Sequence, residues 1–204
     1  MNPAQTDRST SSSVDVATLA AAQRDMRLAY LGGAPGVLVS GLVWAAAGCV
    51  AMWISPQRAV WALFIGGVFI HPASLLLVRL LGGTGRHAAA NPLGALAMAT
   101  TFWMIMMLPL AYGVSLFRIA LFFPAMLFII GGRYLCFHTL YGNRLYWVCG
   151  AVLALAGFGL FKLNAPVALG AFTGAMIEIV FAGIVLVGAR REAGLQAALT
   201  AIKP

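Results

Sequence analysis

Acidic residues are nearly missing from this 204-residue chain, which holds only five Asp and Glu and 9% charged residues in all. A soluble domain carries about 25% charged and about 45–50% apolar residues, and it needs the polar share to cover its exterior. With 62% hydrophobic residues and a mean hydropathy of +0.93, this chain cannot hide its apolar surface in a soluble core. Cysteine is scarce as well. Cys49, Cys136 and Cys149 fall in or beside apolar runs with no CxxC pair, which excludes a disulfide framework and reads as packing. Also missing are a His-x-x-x-His zinc pair, a Gly-x-Ser-x-Gly elbow, a nucleotide loop and a second carboxylate beside the one intramembrane acid. An enzyme is therefore the least expected class. No cofactor or metal is expected either, since His71, His87 and His138 lack ligand spacing.

What the chain does have is long apolar runs. A membrane-crossing helix needs roughly 20 mostly apolar residues, and six such runs occupy 36–54, 58–81, 92–116, 119–140, 144–163 and 167–189. The expected fold is an all-α bundle of six transmembrane helices over 32–189, with no room for a second domain. Residues 1–13 are polar, of low complexity and expected to be disordered; they do not form a secretory signal. Residues 14–31 pattern as a short surface helix, with Val16, Leu19, Met26 and Tyr30 on one face. Gly32-Gly33-Ala34-Pro35-Gly36 then turns the chain into the bilayer. The tail 190–204 reads as one more short surface helix, with Leu195, Leu199 and Ile202 toward lipid.

The net charge is +8, carried by eleven Arg and two Lys. These residues sit at the ends of apolar runs, so they read as topology signals rather than as a nucleic-acid surface. One side of the membrane collects Arg8, Arg24, Arg27, Arg79, Arg86, Arg144, Arg190, Arg191 and Lys203, the other Arg58, Arg118 and Lys162. Basic residues stay in the cytoplasm, so both termini are expected there, in a bacterial inner membrane, against anionic headgroups. Trp53, Trp61 and Phe117 near the outer face and Tyr141, Tyr146 and Trp147 near the inner fit the same frame.

The even-numbered spans look alike: Phe64-Ile65-Gly66-Gly67, Ile129-Ile130-Gly131-Gly132 and Phe172-Thr173-Gly174-Ala175. Spans 1 and 5 share Gly-x6-Gly followed by Pro, at Gly41, Gly48 and Pro56 and at Gly150, Gly157 and Pro166. Three repeated helical hairpins would account for this, with small residues setting close helix contacts. This hairpin resembles the repeats of the six-helix bacterial family typified by the acid-resistance membrane protein HdeD. The stretches GAPGVLVSGLVW (33–44), NPLGAL (91–96) and FFPAMLFIIGGRYLCFHTLYGNRLYW (122–147) resemble an uncharacterised bacterial membrane family of unknown function. The resemblance implies the fold over about 33–188 and carries no activity with it.

Three ionisable residues fall well inside spans, away from their ends: His71, Arg133 and Glu178. Each follows the small-residue pair of its own helix within four positions, which predicts similar depth. Buried charge at the bilayer centre costs about 2.5–3.5 kcal/mol on insertion scales, so a polar cluster with Glu178 paired to Arg133 is expected, against the plainer readings of snorkelling and helix packing. Pro72 and Pro109 are expected to kink spans 2 and 3. The loop Gly82-Gly83-Thr84-Gly85-Arg86-His87 has the composition of an anion nest but reads as a flexible turn. Met104, Met106 and Met107 spread around their helix and read as packing. Two functions follow from the sequence. One is a non-catalytic membrane component, structural or stress-related, self-associating through Gly170-x-x-x-Gly174. The alternative is a small transporter or channel for an unknown solute, proton-coupled through the His71, Arg133 and Glu178 cluster.

Overall fold

The structure, a computed structural model, describes residues 18–202. The expected disorder of 1–13 and the placement of Val16 lie outside them. Seven α-helices fill the described chain: α1 (18–30), α2 (Ala34–Trp53), α3 (Pro56–Leu80), α4 (Leu93–Phe117), α5 (Phe122–Tyr141), α6 (Leu145–Lys162) and α7 (Val167–Ile202). Six of these regions are long and apolar enough to cross a membrane, and no strand occurs among the described residues. The protein is a multi-pass membrane protein, and α2 to α7 are its spans.

Local chemistry sets the helix ends. Ser55 caps α3 by accepting from the Arg58 N–H at 3.2 Å, with Pro56 at the first helical position. Asn91 and Asn143 do the same before α4 and α6, each accepting at 3.0 Å from the N–H two residues on. Pro72 and Pro109 interrupt neither helix, since α3 and α4 run through them unbroken, and both prolines lie on the exposed side. A proline ring is tolerated in lipid where neighbouring groups compensate the backbone.

The spans of the three hairpins, α2–α3, α4–α5 and α6–α7, pack on one another across hairpin boundaries. The most extensive contacts join α2 to α7 and α5 to α6, pairs that cross the hairpin boundaries; α2 also packs broadly on α3, and α4 leans on α5. Glycines explain the closeness. A Cβ at Gly131 would lie 2.8 Å from the Gly150 carbonyl oxygen, and one at Gly150 would lie 2.6 Å from that of Gly131, so the α5 and α6 backbones touch. A Cβ on Gly174 would strike the Trp44 ring, and one on Gly66 would meet Val43. Gly170 lies against Phe123, and Gly132 against Trp103. Equivalent glycines of the repeat thus meet different neighbours, and Gly67 meets none within 4 Å. Gly170 and Gly174 are consumed inside the chain, so they are not a face for self-association.

The segment before α2 is a strap rather than a free surface helix. Gly32 and Gly33 take φ of +66° and +86°, the left-handed region that glycine adopts without strain, and α1 folds back across the end of the bundle. Met26 and Ala29 are buried there, while Leu19 remains 44% exposed. The Asp25 carboxylate accepts from the Ala88 N–H at 2.9 Å and from Asn91 Nδ2 at 2.8 Å. Gln23 donates to the Thr139 carbonyl, Arg27 to that of Tyr141, and Gly85 N–H to that of Ala29. α7 runs 36 residues without a break, so the expected separate tail helix is its continuation. Glu192 on that extension accepts from Arg27 at 3.2 Å; the side chains of Leu195, Leu199 and Ile202 lie outside the described residues.

The Asn91 hydrogen bond, then that of Ala88, hold the Asp25 carboxyl below its usual range. A depressed folded-state value means that this anchor is in place above the ordinary aspartate range and is lost as pH falls through the lowered value. In an NMR titration the Ala88 amide should shift with a midpoint below 3.8, and Asp25→Asn should abolish that titration. A midpoint at or above 3.8 would contradict the anchor.

Candidate functional site: a carboxyl sealed between three spans

Glu178 is fully enclosed, with 0% of its surface exposed. It sits on α7 where that helix packs against α2 at Gly41. Gly41 makes the approach: a Cβ there would lie 2.8 Å from Ile179, 3.2 Å from the Ala175 carbonyl oxygen and 3.2 Å from Glu178 Cβ. Ser40, beside it and buried, faces the same carboxyl. From the third side Tyr134 of α5 donates its hydroxyl to Glu178 Oε1 at 2.6 Å. Glu178 Oε2 is buried with no hydrogen-bond partner. One carboxyl therefore ties α5 to α7 directly, where α2 closes over it.

Arg133 does not join this group. Its Nη2 donates to Thr101 Oγ1 at 3.0 Å and its Nη1 lies 3.1 Å from Met104 Sδ, both on α4, while its guanidinium carbon stands 5.3 Å from the Phe137 ring centre. Its Nε is buried and unpartnered. The expected Glu178–Arg133 ion pair is not formed. Consecutive residues of an α-helix point roughly 100° apart, so Tyr134 takes the direction toward α7 and Arg133 the direction toward α4. Thr101 is the ninth residue of α4, which puts the guanidinium about 12 Å from that helix's start at 1.5 Å per residue.

His71 is the second departure. Ala59, Val60 and Leu63 bury the face of α3 that meets α2, and Gly66 continues it. His71 lies five residues past Gly66, roughly 140° around the helix, and is exposed. The three ionisable residues occupy three different surfaces, so no single polar cluster exists.

The other candidates resolve as packing and turn chemistry. The glycine loop spends its N–H groups internally: Gly82 on the Arg79 carbonyl, Gly83 on that of Val78, Gly85 on that of Ala29 and Arg86 on Thr84 Oγ1. Four of the loop's six N–H groups are occupied in this way. His87 Nδ1 lies 2.9 Å from the Tyr30 hydroxyl. Cys49, Cys136 and Cys149 are free, and no metal-binding group of His, Cys, Asp or Glu occurs among the described residues. Met106 is exposed, whereas Met104 serves Arg133.

Sequence reading missed Tyr134 and Ser40. Tyr134 gave one signal: it lies seven residues before the end of α5, too deep for the interfacial belt, and a hydroxyl at that depth needs a partner. A family model, described as a family of unknown function (DUF7010), matches residues 19–188. No curated protein and no solved structure matches the chain.

The hydrogen-bonded pair is testable by double-mutant cycles in detergent unfolding. Tyr134→Phe and Glu178→Gln should couple by about 1 kcal/mol. Arg133→Leu with Glu178→Gln should couple less. The reverse order would sink the assignment.

Proposed function

We propose, from the premise that the chain belongs to the DUF7010 family of unknown function, that it is a non-catalytic membrane component whose buried carboxyl fastens the bundle. The enclosure of Glu178 carries this reading. A carboxyl with no exposed surface, held by Tyr134 on α5 and covered by α2 at Gly41, has no face to offer a passing solute or proton donor. Polar residues inside membranes that serve transport line a water-filled cavity or pathway. The α1 strap, pinned to the α3–α4 loop and to the end of α5, supports the same role by closing one end of the bundle. A stress-related task is the part of this proposal that rests on sequence resemblance alone, that of the glycine-bearing stretches to HdeD-type proteins.

Carbodiimide attacks protonated carboxyls in apolar settings, so labelling native membranes across pH tests the reading. Glu178 should stay unlabelled throughout. Labelling that declines as pH rises through the neutral range would mean an accessible, titrating acid, and proton-coupled transport would replace the structural role.

The proposed location is a bacterial cytoplasmic membrane with both termini inside. The balance of nine basic residues against three supports it, and anionic headgroups would meet the basic side. A single cysteine placed at Arg86 should react with an impermeant maleimide only after the cells are opened, and one at Arg118 should react in intact cells. The opposite pattern would invert the topology.

A further inference from the structure

His71 is an ionisable side chain near the middle of a span that points out of the bundle. His71 is the sixteenth of the 25 residues of α3, within about 5 Å of the helix midpoint at 1.5 Å per residue. Its imidazole is exposed and makes no hydrogen bond or ion pair with any described residue. The surface around it is apolar, with Ile65, Val68, Phe69 and Leu76 all exposed. Acyl chains offer an imidazole neither donor nor acceptor. Ionisable residues at this depth almost always face protein or water.

The backbone beside His71 is open as well. Gly67 lies one turn earlier, and a Cβ there would meet nothing within 4 Å. The other glycines of the paired motifs are taken up by neighbouring helices of the same chain, as Gly66, Gly131 and Gly174 show. α3 and α4 are also the least buried of the six spans. An unused small residue and an unpartnered imidazole thus lie one helical turn apart on a span that the bundle leaves bare.

Depth and chemistry select what covers this face. Copies inserted in one orientation and related by a two-fold axis along the membrane normal set each residue level with its own equivalent. A neutral imidazole carries one donor nitrogen and one acceptor nitrogen, so His71 is complementary to a second His71 at the same depth. We infer that α3 joins two copies of this chain, with His71 hydrogen-bonded to His71 of the second copy and Gly67 letting the backbones approach. This goes beyond the structural role of Glu178 and stands on a separate surface.

Cysteine cross-linking in native membranes tests it, in a chain freed of Cys49, Cys136 and Cys149. Val68→Cys, on the exposed face beside His71, should form a disulfide-linked dimer on oxidation. Leu155→Cys, equally exposed but on α6, should not. Adding His71→Leu to the Val68→Cys chain should cut the dimer about three- to tenfold, the worth of one interhelical hydrogen bond in a membrane. His71→Asn, which keeps a donor and an acceptor, should retain more dimer than His71→Leu. Cross-linking no stronger at Val68 than at Leu155, a dimer indifferent to His71→Leu, or a product with the mass of a different partner would overturn the proposal.

Discussion

The close approach of α2 to α7 is the constraint on which the rest of the bundle depends. Lipid tails are as apolar as leucine, so helices in a bilayer gain nothing from hiding apolar surface from one another and must associate through contact and hydrogen bonds. Gly41 lets α2 sit against the Ala175 carbonyl and Ile179 of α7. Higher up the same seam, Trp44 fills the space over Gly174, and Phe172 fills the space over Gly48. Trp44 is 2% exposed as a result. Large rings seated on glycines give this seam its dispersion energy, and every missing Cβ along it is filled by a neighbour.

The seal around Glu178 follows from that seam. With α2 held at glycine distance, Ser40 and Glu178 are brought side by side and the carboxyl has no exposed surface. α5 completes the enclosure through Tyr134, and α5 is in turn positioned by its backbone contact with α6 at Gly131 and Gly150. Phe122 and Phe123 at the start of α5 pack their rings on Phe64 and Trp44, which fixes α5 against α2 and α3. A polar group in hydrocarbon is costly unless partnered, and this bundle spends one tyrosine hydroxyl on it. Arg133, one residue before Tyr134, is met differently, by a hydroxyl and a thioether of α4 and by the Phe137 ring of its own helix.

Charge is distributed by membrane depth rather than by pairing. Arg27 and Glu192 form the one ion pair among the described residues, and it joins the strap to the extension of α7 at the end of the bundle. A half-exposed pair of this kind contributes little to stability by itself. The strap is held instead by hydrogen bonds to backbone carbonyls and by the burial of Met26 and Ala29. Tyr146 adds a further tie by donating to the Gly32 carbonyl at 2.7 Å, just where the strap turns into α2.

The sequence by itself determined the number of spans, their limits to within about three residues except at the far end of α7, and the turn at Gly32-Gly33. Hydrocarbon demands uninterrupted apolar runs with internally satisfied backbone, and such runs are visible residue by residue. It also marked Glu178, Arg133 and His71 as costly to bury. Only the tertiary structure decided what each of them meets. Span order does not dictate which helices touch, so the hairpin pattern concealed the pairing of α2 with α7 and of α5 with α6. Similar depth does not imply a shared surface either. A step of one residue turns a side chain by roughly 100°, and that rotation gave Glu178 to Tyr134 rather than to Arg133 and left His71 facing outward.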